Sequence, residues 1–402
     1  MTNQEFILQH RTDDVRTLAL KKVPEGVDAK FCLQQIEGWQ LARKKLQTWA
    51  VTEGLYYPPR ISMEQCSSEQ TACYKRQVVE RLLPPQQRGQ MIDLTGGFGV
   101  DFSYLARGFH QSTYVERQAH LCQIAQHNFA LLNLGDSRVV NGDGMEYLHT
   151  QDASYNLIYI DPARRDDDGR KVVRLEDCTP DVCQYLSLLL AKAQVVMIKL
   201  SPMLDIHSAI RSLQHVSEVH VVSVSGECKE LLLILTPDVV EDIVYHCVNL
   251  DTQDAPFSCA DRECQVAEIL EDTSMLSSGY LFEPNASILK AGVQDALCRT
   301  YGVAKLHPCS HLFYSPQDVP AFPGRRFRIV ASSDFSKKGL KNLLGNVQKA
   351  NLTVRNFPTS VALLRKQLKL REGGEDYLFA TTLRDGSHVL IRCQRPTCPT
   401  SY

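Results

Sequence analysis

The order of apolar and polar positions divides the chain into three kinds of stretch. Up to about residue 80 there is no strand-like alternation. Residues 31–48 repeat apolar side chains at helical spacing (Phe31, Leu33, Ile36, Trp39, Leu46) and predict an amphipathic helix. Tyr56-Tyr57-Pro58-Pro59 breaks that run, and Ser67-Ser68-Glu69-Gln70-Thr71-Ala72 offers an N-cap for a helix through Arg81. Between 89 and 240 short apolar runs alternate with helical ones. Strands are predicted near 91–94, 112–115, 139–140, 155–160 and 194–199, with helices at 100–107, 118–134 and 180–192. Apolar runs at 219–224 and 231–235 flank a short Ser225-Gly226-Glu227-Cys228 turn and read as a hairpin. Residues 241–322 show little periodicity, and 302–323, rich in Pro, His and aromatics, reads as a connector. From Arg325 the order β-α-β-α-β-β returns: strands at 327–331 and 352–357, helices at 336–349 and 360–370. A hairpin at 377–383 and 388–393 then turns on Arg384-Asp385-Gly386.

Candidate chemistry sits at the ends of the predicted parallel strands. Asp93-Leu94-Thr95-Gly96-Gly97-Phe98-Gly99 places a strand, a glycine turn and a helix start in sequence, the layout of a nucleotide cradle. The pattern is Asp-x-x-x-Gly-x-Gly and not the dinucleotide G-x-G-x-x-G. A carboxylate at Asp93 suits a ligand with a cationic amine and repels a pyrophosphate. Glu116 ends the second strand, where it can accept from both hydroxyls of a ribose. Asp143 ends the third, within reach of an adenine amino group, and Asp161-Pro162-Ala163-Arg164 follows the fourth. A capping or solvated carboxylate explains any one of these ends as well. Four in succession point to a ligand outside the carboxyl ends of an open sheet.

These residues resemble the successive motifs of class I S-adenosylmethionine-dependent methyltransferases over roughly residues 75–240. Glu64-Gln65-Cys66-Ser67-Ser68-Glu69, Ile198-Lys199-Leu200-Ser201-Pro202 and Phe282-Glu283-Pro284-Asn285-Ala286 are similar to a bacterial family of RNA-methyltransferase candidates with a C-terminal THUMP-like domain. The resemblance implies an α/β fold: a Rossmann-like, mainly parallel methyltransferase sheet with an antiparallel last hairpin. An N-terminal helical segment and a small C-terminal α+β module, ferredoxin-like or THUMP-like, would flank it. The corresponding domains are 1–80, 81–240, a connecting region 241–322, and a module 323–395 expected to bind RNA. The implied cofactor is S-adenosyl-L-methionine, held by Asp93, Thr95, Gly96, Gly97, Phe98, Gly99, Asp101, Glu116, Arg117, Asp143 and Gly144. Lys75, with Gln70 and Thr71, lies in a segment that often closes over the cofactor in such enzymes. Asp161, Pro162 and Arg164 are the implied catalytic residues. A proline there has no N–H, so the acceptors that face the cavity can hold an exocyclic amine.

The motif departs from Asn/Asp-Pro-Pro-Tyr/Phe, because Ala163-Arg164 follows Asp161-Pro162. Arg164 can stack by its guanidinium or bind a phosphate. Uridine C5 chemistry needs a nucleophilic cysteine near the fifth strand's end, where this chain has Lys199-Leu200-Ser201-Pro202. An RNA-binding protein that keeps the cofactor fold with little or no transfer is the alternative reading.

Charge sharpens the expected partner. The net charge of −2 hides a surplus of +10 in residues 321–395, where 15 Lys and Arg face 5 Asp and Glu. A basic module on an acidic body suggests a polyanion, and RNA (rRNA or tRNA) fits. The 14 cysteines have irregular spacing, and no apolar run has transmembrane length, which predicts reduced thiols in the cytoplasm and no membrane partner. Cys259/Cys264, His307/Cys309/His311 and Cys393/Cys398 lack zinc-finger spacing, so no metal site is expected.

Overall fold

The structure is a computed structural model that describes residues 1–164, 174–252, 256–264 and 267–396. The chain forms two compact units: Met1–Ser217 with Leu232–Val240, and Glu218–Leu231 with Glu241–Tyr402.

The first unit opens with six helices: α1 (Asn3–His10), α2 (Val15–Ala19), α3 (Ala29–Lys45), α4 (Gln47–Val51), α5 (Arg60–Gln65) and α6 (Glu69–Leu82). Asp14, Asp28 and Ser68 cap α2, α3 and α6, each side chain accepting an otherwise orphaned N–H of the first turn. The sheet follows: β1 (Gln90–Asp93), β2 (Gln111–Glu116), β3 (Arg138–Asn141), β4 (Tyr155–Ile160) and β7 (Ala193–Leu200), with the two-residue pair β5 (Ala163–Arg164) and β6 (Cys178–Thr179) set apart. β1 lies between β2 and β4, β3 pairs with β2 and β7 with β4, and every one of these pairings is parallel. Helices α7 (Val100–Leu105), α8 (Ala119–Leu131), α9 (Gly144–Thr150), α10 (Leu186–Lys192) and α11 (Ile206–Leu213) alternate with the strands. Trp49 and Tyr57 from the N-terminal helical segment join Phe98, Phe102, Tyr114 and Phe129 in one buried core. Residues 1–80 are therefore fastened to the sheet by shared apolar burial.

The predicted hairpin is β8 (Val216–Val224) and β9 (Glu227–Leu235). Ser225 and Gly226 both have positive φ, 53° and 75°, as a two-residue type I′ turn requires. Leu232–Leu235 of β9 belongs to the first unit, beside β7.

In the second unit β10 (Val244–Asn249) pairs in parallel with β8, and β11 (Phe257–Ala260) runs antiparallel to β10. A seven-stranded sheet follows, built from β12 (Tyr280–Pro284), β13 (Ala304–Lys305), β14 (Phe313–Ser315), β15 (Gly324–Asp334), β16 (Asn351–Arg355), β17 (Asp376–Thr382) and β18 (His388–Gln394). Its order is β13-β14-β12-β15-β18-β17-β16. Helices α12 (Ala286–Ala291), α13 (Ala296–Tyr301), α14 (Lys337–Leu344) and α15 (Val361–Leu368) complete the unit. Among its described residues the stretch expected to connect, 241–322, thus carries five strands and two α-helices, and β12 pairs directly with β15. From β15 onward the predicted β-α-β-α-β-β order is present, and Asp385-Gly386 turns the last hairpin. Leu378, Ala380 and Leu390 pack with Leu343 and Leu364 of α14 and α15, while Phe379 and Ile391 face a second core with Phe327. The strict alternation shows a sheet buried on both faces.

Candidate active site

The glycine loop follows β1 and leads into α7. Gly97 and Gly99 take φ of 55° and 83°, which only glycine adopts at low cost. Gly96 is glycine for another reason. A Cβ there would meet the Tyr114 ring at 2.1 Å, and the Tyr114 hydroxyl donates to the Gly97 carbonyl. A Cβ on Gly144 would meet the Leu94 carbonyl at 2.1 Å. A Cβ on Gly97 would find only the Thr95 carbonyl, at 3.8 Å, so the loop is open over Gly97. The Phe98 side chain turns away into the core against Trp49, with ring centroids 4.9 Å apart.

The carboxylates gather around this loop. Glu116, nearly buried, accepts the Gly97 N–H at 2.9 Å through Oε2 and the Gln118 N–H at 2.8 Å through Oε1. Asp143 lies beyond the end of β3, where it caps α9. Its Oδ1 accepts from the N–H groups of Met145 and Glu146, and its Oδ2 is 3.4 Å from Arg117 Nε. The sequence placed Asp143 on a strand end; the capping role that competes with that reading at any single carboxylate is present here. Arg117 itself is mostly exposed. Thr95 donates its N–H to Asp93 at 2.9 Å, and its hydroxyl accepts the Asp161 N–H at 2.7 Å, tying the loop to the Asp161-Pro162 turn. Pro162 is buried and Asp161 is part-exposed. Arg164 contributes its backbone to β5; its side chain lies outside the described residues, as does most of the charged loop after it.

Asp101, in the first turn of α7, is the hub of a buried network. Its Oδ1 is 3.1 Å from the fully buried Lys75 ammonium of α6. Its Oδ2 accepts from the Ser67 and Tyr159 hydroxyls, each at 2.7 Å, and stands 3.9 Å from Lys199 Nζ. Lys75 also donates to Ser67 Oγ at 3.1 Å. Lys199, from β7, forms an ion pair with Asp161. Burial alone would raise the Asp101 carboxyl, but the Lys75 and Lys199 ammoniums and the two hydroxyls hold it below its usual range. Asp93 is pushed the other way. Burial lifts it well above the ordinary carboxylate range, the Thr95 N–H offsets part of that, and Asp101, Asp161 and Glu116 repel its charge.

Ser67 and Tyr159 are members of the site to which the sequence assigned no role, and Lys199, noted as standing where a cysteine would be needed, joins them through its ion pair with Asp161. Tyr159 had one signal: a phenol in an otherwise apolar strand needs a partner for its hydroxyl when buried.

Residues 74–221 match a family described as "Conserved hypothetical protein 95", residues 280–323 a "ferredoxin-like domain", and residues 324–395 a "THUMP domain-like" family. No curated protein matches the chain. Among solved structures it is similar to the "putative methyltransferase from Porphyromonas gingivalis W83", with 33% identity over 98% of both chains and a TM-score of 0.84. The chain belongs to that family of class I S-adenosylmethionine-dependent methyltransferases with a C-terminal THUMP-like domain. It is also similar to the "SAM Dependent Methyltransferase from Agrobacterium tumefaciens" (16% identity, 43% of this chain and 63% of that one, TM-score 0.32). The "rRNA Methylase from Streptococcus thermophilus" is a further likeness (10% identity, 41% and 96%, TM-score 0.32). As a member of the family of the Porphyromonas gingivalis protein, the chain is a transferase whose cofactor is S-adenosylmethionine. The residues fit that cofactor: carboxylates crowd the loop, one of them raised first by burial and then by the others' charge, and the backbone at Gly97 is open to approach. No helix among the described residues is long and apolar enough to cross a membrane.

Proposed function

We propose that the protein methylates a base in RNA, with an exocyclic amine as the favoured acceptor, at the Asp161-Pro162-Ala163-Arg164 turn. The observation that carries the reading is a chain that joins an acid-lined glycine loop to a THUMP-like module with an exposed cationic face. On that module Lys337, Lys338 and Lys341 of α14, with Lys366 and Lys369 on and just after α15, are exposed. Several arginines of the same basic stretch are engaged within the protein. Arg325 pairs with Glu283, Arg326 makes two 2.8 Å bonds to Asp318, and Arg365 donates to the Ala350 carbonyl. The lysines are therefore the better phosphate ligands.

In this reading Glu116 takes the ribose hydroxyls, Asp143 the adenine amine, and Asp93 faces the cationic amino-acid end. Bound S-adenosylmethionine supplies an electrophilic methyl on a sulfonium. The protein's part is placement, which accounts for several kcal/mol of barrier when acceptor and methyl are aligned. Asp161 accepts hydrogen bonds from the target amine and aims its lone pair. Lys199 keeps one Asp161 oxygen oriented and partly neutralised, and the Thr95 hydroxyl holds the Asp161 backbone in register with the loop. The absence of a cysteine at 199–202 weighs against a covalent uridine route.

The test is transfer of labelled methyl from S-adenosylmethionine to separated rRNA, tRNA and protein pools from cells lacking the gene. Label should enter an RNA pool with wild type and fall at least 100-fold with Asp161→Ala, while cofactor affinity changes only a few-fold. Label confined to protein would overturn the RNA assignment. Wild-type transfer by Asp161→Ala would remove Asp161 from the acceptor side.

A further inference from the structure

We propose that Glu218, His220 and His246 form a site for a divalent transition metal of the zinc class, within the second unit and separate from the methyltransferase chemistry. The two histidines are 26 positions apart in sequence but directly opposite each other, because β10 pairs in parallel with β8 in the register His246↔His220. Their rings stack with centroids 4.5 Å apart and planes 20° apart. Glu218 lies two residues before His220 on β8 and so shares its face. Its Oε2 is 3.0 Å from His220 Nε2 and 3.6 Å from His246 Nε2. Among the described residues these three form the one group whose candidate ligand atoms all lie within 4.8 Å of one another. Ligands at about 2.0–2.2 Å from a tetrahedral zinc are roughly 3.3 Å apart, so small side-chain rotations bring the three around one ion.

The surroundings suit coordination. His246 Nδ1 is 2.8 Å from Ser258 Oγ on β11. When Nδ1–H donates to that oxygen, Nε2 carries the lone pair and points to the shared centre, which is the usual outer support of a metal-bound imidazole. His220 is 1% exposed, while His246 and Glu218 keep 20% and 14% of their side chains exposed, and the His246 Nε2 atom itself is buried. Two imidazoles and one carboxylate are a common donor set for zinc or iron(II). An ion there would pin β8, β10 and, through Ser258, β11.

The test uses the untagged full chain, stripped with chelator and titrated with Co²⁺ or Zn²⁺ alone. One equivalent should bind with micromolar or tighter affinity, and the cobalt spectrum should show nitrogen and oxygen ligation without a thiolate-to-cobalt charge-transfer band. His246→Gln and Glu218→Gln should each weaken binding at least 100-fold, and Ser258→Ala by roughly 10- to 100-fold. Circular dichroism and unchanged S-adenosylmethionine binding establish that the variants fold. If one variant fails to fold, the other and the wild-type cobalt spectrum still decide. No binding by wild type at micromolar metal, equal binding by the folded variants, or a thiolate spectrum would each overturn the proposal.

Discussion

Asp93, Asp101, Glu116, Asp143 and Asp161 crowd around one glycine loop, most of them shielded from water, whereas five lysines stand exposed on and beside α14 and α15. The two regions carry opposite charge and also dispose of it differently. Buried charge has to be paired, capped or protonated, since desolvation costs several kcal/mol per ion. Asp101 is paired with Lys75, Asp143 caps a helix, and Asp93 is pushed toward its protonated form. The exposed lysines need no partner, because water and salt screen them. The first arrangement fixes side chains in place, and the second keeps them available for a polyanion.

Removing one member of the buried set should therefore have the largest effect. Lys75→Ala leaves Asp101 without its nearest cation and should cost about 3–5 kcal/mol in urea unfolding. The double variant Lys75→Met, Asp101→Leu should lose less than the single one, because no buried charge is left behind. Equal losses would show that Lys75 acts through packing alone.

Next in size is cofactor affinity. Glu116→Ala should lower S-adenosylmethionine affinity roughly 10- to 150-fold, about 1.5–3 kcal/mol, measured by calorimetry.

A smaller effect separates the two neighbouring acids by pH. Asp93 is raised in the folded state, so the folded protein holds a proton that the unfolded chain releases above the ordinary aspartate value of 3.8. Its contribution to stability is complete below that value and is lost as pH rises through the folded value. Asp93→Asn should remove this loss and stabilise the unliganded protein at neutral pH by about 1–3 kcal/mol. Asp101 is lowered, so its contribution is present above 3.8 and is lost as pH falls through its folded value. Stability curves of wild type and Asp93→Asn that run parallel from pH 4 to 8 would contradict the assignment.

The smallest stability effect belongs to the exposed face. Changing Lys337, Lys338 and Lys341 together to Gln should leave stability within about 0.5 kcal/mol. The same variant should lessen the log–log salt slope of RNA binding by about 2, at roughly 0.7 per single-strand phosphate contact. An unchanged slope would mark that face as solvated surface only.

What the sequence revealed follows the range of the forces involved. The strands β1, β2, β4 and β7 were legible because strands buried on both faces read as apolar runs, and Asp385-Gly386 because its turn is chemically local. Strands β10 to β14 were missed. They are short, polar or proline-flanked, and they exist through partners far along the chain: β8 for β10, and β15 for β12. The same limit hid Lys199 beside Asp161 and Glu283 beside Arg325 and Arg355, and it hid the facing histidines of β8 and β10. Cys259 and Cys264, noted for their spacing, do meet, with sulfurs 3.7 Å apart. Cys398 lies outside the described residues. A surplus of basic residues was countable, but which of them were already taken was not.

The grip of the glycine loop on Glu116 has a consequence for how a ligand binds. A free glutamate side chain samples many rotamers, and freezing it costs up to about 1.5–2 kcal/mol of conformational entropy. Here both oxygens are already anchored by the N–H groups of Gly97 and Gln118. That entropy is surrendered when the chain folds, not when the cofactor arrives. The remaining lone pairs are presented in a fixed direction to any diol that enters, so association at this end should be rapid, enthalpy-driven and intolerant of a sugar that lacks one hydroxyl.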